Sequence, residues 1–264
     1  MNTSNQPKIS IVTIVKNRVE FIRDAIENVM SQNYENFEHI VIDGASEDGT
    51  LEVIQSYPHL IWISEPDAGS VYALNKGLKL VKGEIFGWLN SDELYEPNLF
   101  HEISKQFVFD SSVEVIYGTT EFISANKEHL GHTRFKRFNL QKEILGIIAI
   151  AAPSSVFVRS SALDKVGRQA DERWKDTYDH DLWIRLGKVA KFKGVNKIFS
   201  KFTLHGDSGV ASNPNRAIQE AKLVRTTHGG DGTILGKFIL APIVDLRGFI
   251  YKHLVLKRMS KRSR

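Results

Sequence analysis

The chain predicts an α/β fold with a mostly parallel central sheet and helices on both faces. Two observations carry that expectation. Short β-branched runs alternate with segments of helical periodicity through the first half of the chain. The polar clusters fall where those runs end. In an open parallel sheet ligands gather beyond the carboxyl ends of the strands, so the same clusters mark a candidate site.

Ile9 to Val15 is nearly all Ile and Val, with Ser10 and Thr13 interspersed, and reads as a buried strand. From Val19 the period lengthens: Phe21, Ile22, Ala25, Ile26, Val29 and Met30 recur at helical spacing to about Gln32. His39 to Asp43 reads as the second strand, and Leu51 to Tyr57 as a short helix stopped by Pro58. Leu60 to Ile63 is the third strand. Pro66-Asp67-Ala68-Gly69 then breaks the chain before a helix in which Leu74, Leu78 and Val81 share a face. Glu84 to Leu89 is the fourth strand, followed by a helix around Leu99, Ile103 and Phe107 and a strand at Val113 to Tyr117. The second half is less regular. Arg134 to Leu145 is mixed, Ile147 to Val158 apolar and small, and Asp171 to Arg185 rich in charge and Trp.

Composition narrows the class. A chain of 264 residues can bury one sizeable core, and 42% hydrophobic with 25% charged residues is the balance of a globular protein, not a disordered one. The absence of cysteine excludes disulfides and thiolate metal sites. Met1 to Lys8 lacks the apolar run of a signal peptide, and no stretch reaches the roughly 18 apolar residues of a membrane span, so a cytoplasmic location is expected. The net charge of +4 is uneven: Lys257, Arg258, Lys261, Arg262 and Arg264 crowd the end of the chain. On charge alone such a tail suits an anionic membrane or nucleic acid, and many are simply solvated.

Asn90-Ser91-Asp92-Glu93 is the first constellation with chemistry in it. A hard divalent cation needs oxygen ligands and shares its other positions with phosphate oxygens, which an acidic pair at a strand mouth supplies. A solvated turn capping the next helix is the plain alternative. Asp43, closing an apolar strand before Gly44, needs a partner for its charge. Ser46 and Asp48 read as ordinary helix caps. In Asp67 to Lys76 a Gly at a helix start lets backbone N–H groups approach phosphate, although neither a Walker loop nor a Gly-x-Gly-x-x-Gly fingerprint is present. Tyr178-Asp179-His180-Asp181-Leu182-Trp183-Ile184-Arg185 carries the second acidic cluster. Either Asp179 projects into a cleft as a proton acceptor, or its acids serve the helix start, with Asp181 and Arg185 as an i,i+4 pair. His205-Gly206-Asp207-Ser208 follows a strand-like segment, Phe199 to Leu204.

In order, these pieces resemble the inverting glycosyltransferases of family 2, which have the A-type glycosyltransferase fold. The matching stretches are Ile11 to Arg18, Ile42 to Thr50, Glu65 to Gly69, Leu74-Asn75-Lys76-Gly77, Gly83 to Glu93, Asp179 to Leu186, and His205 to Ser208. The resemblance implies a nucleotide-diphosphate-sugar donor, a glycan or lipid-linked acceptor, Mg2+ or Mn2+ as cofactor, and no nucleic acid partner. Thr13, Asp43 and Asp67 would hold base and ribose, with Asn75, Asn90 and Ser91 also on the donor side. Asp92, Glu93 and His205 would serve the metal, and Asp179 matches the family's catalytic base. Two departures stand out: Gly44 replaces a second Asp, which shifts base recognition toward Asp67, and Asn90 replaces the first acid of Asp-x-Asp.

The expected organisation is a catalytic domain over residues 1–210, with a nucleotide-sugar half to about 118 and an acceptor half from about 119. A helical, basic appendage follows over 211–264. In that appendage Phe238, Ile239, Ile243, Val244, Phe249, Ile250, Leu254 and Leu256, with the basic residues, suit either docking on the inner face of a bacterial membrane or packing of the apolar face on the catalytic domain. The narrower resemblance is to enzymes of bacterial surface polysaccharide. A nucleotidyltransferase is the main rival, yet the loop Lys16-Asn17-Arg18-Val19 lacks the glycines it would want. A non-catalytic sugar-nucleotide module is the other, and retention of Asp92 and Asp179 speaks against it.

Overall fold

The structure, a computed structural model, describes residues 6–150, 152–205 and 214–230. The appendage beyond residue 230, and with it the membrane-docking expectation, lies outside the described residues. Strands β1 (Ile9–Val15), β2 (Phe37–Asp43), β3 (Ile61–Ser64) and β4 (Ile85–Trp88) alternate with helices α1 (Val19–Met30), α2 (Thr50–Gln55) and α3 (Ser70–Leu80). Then come β5 (Glu93–Tyr95), α4 (Leu99–Phe109), β6 (Val115–Ser124), β7 (His129–His132), α5 (Leu140–Ile144), β8 (Val156–Arg159), α6 (Ser160–Lys165), α7 (Tyr178–Gly187), β9 (Phe192–Leu204) and α8 (Pro214–Thr227). The described strands form one sheet in the order β3-β2-β1-β4-β8-β6-β9-β5, with β7 paired to β6.

The first four strands pair in parallel, as expected. Every residue of β1 is buried, because helices cover both faces, and this explains its unbroken Ile and Val run. Val12 and Ile14 pack under α3, α6 and α7. Ile9 and Ile11 meet α1 and α4 on the other face, and Val15 joins Ile22, Ile26 and Ile54. Gly77 lets α3 approach β1: a Cβ there would lie 2.4 Å from Val12 Cγ1.

Beyond β4 the sheet is mixed. Strand β8 inserts antiparallel between β4 and β6, while β9 runs parallel to β6 and takes the short β5 antiparallel at the edge. The expected division near residue 118 falls inside β6, a single strand that continues to Ser124. The two halves therefore share a strand and have no linker between them. Helix α8 adds Val224 to the main core, so the first part of the appendage is docked on the domain. Among the described residues no helix is long and apolar enough to cross a membrane.

Candidate active site

At the carboxyl ends of β1 and β4 a cavity of about 370 Å3 opens, closed on the far side by the start of α7, Pro153 and Phe202. Asp67, Asn90, Ser91, Asp92, Glu93 and Asp179 all line it. Three separate chain segments thus bring carboxylates to one space, as the strand-end rule anticipates.

The loop after β2 is built by side-chain bonds to the backbone. Ser46 Oγ accepts from Asn17 N at 2.7 Å, Asn17 Oδ1 accepts from Glu47 N at 2.9 Å, and Asp48 Oδ2 accepts from Val19 N at 3.0 Å. Asp48 therefore ties the start of α1 as well as the start of α2, where Thr50 N donates to its Oδ1. Gly44 sits directly behind Asp67. A Cβ on it would lie 3.0 Å from Asp67 Oδ2 and 3.2 Å from Lys16 Cδ. The missing second Asp is thus the space into which the Asp67 carboxylate fits, and Asp67 Oδ1 is steadied by Gly69 N at 2.9 Å. Gly69, at φ +138°, turns the chain into α3, whose first residues face the cavity.

Asp92 and His205 meet across the chain, with Nε2 3.0 Å from Oδ2. His205 is also stacked on Phe21, ring centroids 4.8 Å apart. The turn is fixed by Asn90: its Oδ1 accepts from Trp88 Nε1 at 2.9 Å and its N–H donates to Glu93 Oε2 at 3.0 Å. Burial, reinforced by the charge of Asp92, holds the Glu93 carboxyl well above the usual carboxylate range. Glu93 was expected as a metal ligand. Fully buried and bonded to the turn's backbone through Oε2, it lines the cavity beside Asp92. Among the described residues no three His, Asp or Glu side chains converge to hold a metal by themselves.

Asp179 stands at the start of α7 beside Tyr178, whose ring stacks on Trp88 at 5.4 Å. Burial pushes the Asp179 carboxyl up to about 6. Its neighbour Asp181 faces away from the cavity, with Arg185 Nε at 2.7 Å and His228 Nε2 at 2.8 Å from its two oxygens. Asp181 is a structural anchor between α7 and the end of α8. Behind them Glu143 of α5, pushed up to about 8 chiefly by burial, lies 3.6 Å from His180 Nε2.

Three residues expected on the donor side do not reach the cavity wall. Thr13 is fully buried, and its Oγ1 pairs with the buried His39 Nε2 on β2 at 2.9 Å. Asp43 is fully buried; its oxygens accept from Ser46 N at 3.1 Å and Ser64 Oγ at 2.6 Å, which satisfies its charge within the protein. Asn75 staples α3 to the segment after α6, donating to Ala170 O at 3.0 Å and accepting from Ala170 N at 2.8 Å. Lys16, in the polar cluster after the first strand, lines the cavity, as do Arg18, Trp88, Lys175, Asp176 and Phe202, which no sequence motif marks individually. The spacing Phe86, Trp88 along a buried strand could have flagged Trp88. Nothing in the sequence distinguishes Lys175 from other surface lysines.

The family described as Glycosyl transferase family 2 matches residues 10–167. The chain belongs to that family. An uncharacterized glycosyltransferase of Rickettsia typhi is 29% identical over 206 residues, covering 75% of this chain and 64% of its own. The chondroitin synthase of Pasteurella multocida is 27% identical over 207 residues, covering 76% of this chain and 21% of its own. This chain thus spans less than two-thirds of those relatives. Among solved structures, S. aureus TarS in complex with UDP-GlcNAc superposes with a TM-score of 0.63 at 17% identity, covering 82% of this chain and 65% of that one. A Pyrobaculum calidifontis mannosyltransferase in complex with GDP-Man and Mn2+ gives a TM-score of 0.60 at 16% identity, covering 86% and 65%. The family 2 glycosyltransferase described here therefore has the A-type fold, and its cavity occupies the carboxyl edge of the parallel strands.

Proposed function

We propose that this family 2 glycosyltransferase moves a sugar, with inversion, from a nucleotide-diphosphate donor to a hydroxyl of a glycan or lipid-linked acceptor in bacterial surface-polysaccharide synthesis. The observation that carries the reading is the meeting of Asp67, Asp92 and Asp179 in one cavity. Lys16, Arg18 and the start of α3 line the same cavity and suit a diphosphate. The Pasteurella relatives bear the names of polysaccharide-building enzymes, which agrees with the acceptor class.

Asp179 is placed to take the proton of the attacking hydroxyl, and burial gives it the basicity to do so near neutral pH. As that oxygen bonds to the anomeric carbon, the sugar–phosphate bond breaks and the electron pair leaves with the nucleoside diphosphate. The single displacement inverts the centre and needs no enzyme-bound intermediate. Asp92 and His205, an oxygen and an imidazole nitrogen brought together at 3.0 Å, are the residues that would hold Mg2+ or Mn2+ beside the donor's phosphates. When bound, such an ion would stabilise the departing diphosphate as a Lewis acid.

The test is a panel of UDP-, GDP- and TDP-sugars, scored for cation-dependent protection against thermal unfolding and for release of nucleoside diphosphate. Release of pyrophosphate would instead favour a nucleotidyltransferase, and protection without turnover a binding module. The membrane placement is tested separately. The full chain should co-sediment with anionic vesicles at low salt, and a chain ending at Gly232 should not.

A further inference from the structure

Between β7 and α5 the chain carries Arg134, Lys136 and Arg137, and α5 itself carries Lys142, all exposed. Among the described residues none of the four forms an ion pair. Lys165, Lys191, Lys197 and Lys201, later in the chain, each meet a carboxylate.

This basic strap is seated firmly. Tyr117 Oη donates to Lys136 O at 2.8 Å and accepts from Phe138 N at 2.6 Å. Phe135 stacks on Tyr117, and Phe138 lies flat on Phe192 with centroids 3.9 Å apart. Two glycines make room for these rings. A Cβ on Gly194 would lie 2.5 Å from Tyr117 Oη, and one on Gly187 would lie 2.5 Å from Phe138 Cζ. With the aromatic residues turned in, the cations between them are held outward at successive positions. Fixing like charges side by side is unfavourable unless an anion offsets them. A merely solvated loop has no need of such anchoring.

A cleft of about 20 Å3 opens beneath the strap, lined by Thr119, Thr133, Arg134, Lys136 and Ile150. That is room for about one water-sized group, such as a single phosphate oxygen. Ile150 lines this cleft and Pro153 lines the donor cavity. Three residues apart, their Cα atoms are separated by at most about 11 Å.

We propose that the strap is an anion subsite of the acceptor site, binding a phosphate or pyrophosphate group of the acceptor while its hydroxyl reaches Asp179. Planar guanidinium groups suit that oxyanion geometry. The proposal rests on the glycosyltransferase reading above for its place in the reaction, while its anion binding can be measured without turnover.

The experiment compares the wild type with R134Q/K136Q/R137Q and with K79Q/K105Q/K222Q, a control of identical charge made at exposed lysines elsewhere. Inorganic pyrophosphate is titrated calorimetrically with the donor cavity blocked by saturating UDP and GDP. The strap variant should bind it about tenfold or more weakly, and the control within about twofold of wild type. Equal affinity in all three proteins, or equal loss in both variants, overturns the subsite. So does a strap variant that loses only binding to phosphatidylglycerol vesicles, which would make the strap a membrane contact. If neither UDP nor GDP binds the wild type, the donor reading fails. A selective loss of pyrophosphate binding in the strap variant would still establish the anion site.

Discussion

Replacing Asp179 with Asn should abolish turnover and, at neutral pH, make the protein more stable. Asp179 has an ordinary value of 3.8 and is raised by burial to about 6. That difference corresponds to about 3 kcal/mol held against the ionised folded state. The side chain keeps a partly open face to the cavity, so about 3 kcal/mol is an upper bound and 1–3 kcal/mol the expected range. The sign follows from linkage. With the folded value raised, the favourable contribution is complete below pH 3.8 and is lost as pH rises through about 6. Urea unfolding of wild type and variant should therefore show the variant ahead at pH 7.5, with the gap closing as the pH falls below 6. Turnover should drop by roughly 10²-fold or more with donor affinity nearly unchanged. In the wild type, kcat/KM should rise with pH through an acidic limb near 6. A variant no more stable than wild type at pH 7.5, or a gap that widens in acid, would refute both the burial argument and the base assignment.

Asp92→Asn should abolish turnover and weaken donor binding in Mn2+, read by titration with donor; near-normal activity would remove Asp92 from the site. Asp181→Asn should cost about 2–4 kcal/mol by urea unfolding, because Arg185 and His228 lose their buried partner, while the folded fraction keeps its activity. A dead but stable Asp181→Asn would reverse the roles of the two aspartates. Gly44→Ala should raise the donor KM several-fold with under about 1 kcal/mol of destabilisation, since its Cβ presses on the Asp67 and Lys16 side chains and not on backbone.

The parallel half of the sheet was legible because its strands are buried on both faces and read as continuous β-branched runs between periodic helices. The rest failed for identifiable reasons. Strand β5 has three residues, too few to show a period. Strand β8 hides in the apolar stretch Ile147 to Val158, whose composition does not separate strand from helix. At the site, Asp67, Asp92 and Asp179 stood out because carboxylates at strand and helix ends are poorly explained by packing. The buried partners of Thr13 and Asn75, His39 and Ala170, were not legible because polarity alone does not reveal which face of a strand or helix carries a residue. The partner that Asp43 needed comes in part from Ser64, one strand away, which no local pattern announces.

The pairing of β5 with β9, and the contact of Asp92 with His205, have a consequence for the order of assembly. Strands β1 to β4 pair in parallel with one another, and only the far edge of β4 waits for β8, so most of the donor half can form as soon as it leaves the ribosome. The turn that carries Asp92 cannot. Its carboxylate, and Thr203 N, which donates to Asp92 O at 3.2 Å, connect it to residues more than a hundred positions later. A nascent chain that has not yet extruded β9 should therefore protect its parallel strands from proteolysis while leaving residues 90–95 open to cleavage. Cleavage of that segment would cease only when residue 205 emerges, so the reactive centre would stay unassembled long after the parallel strands have formed.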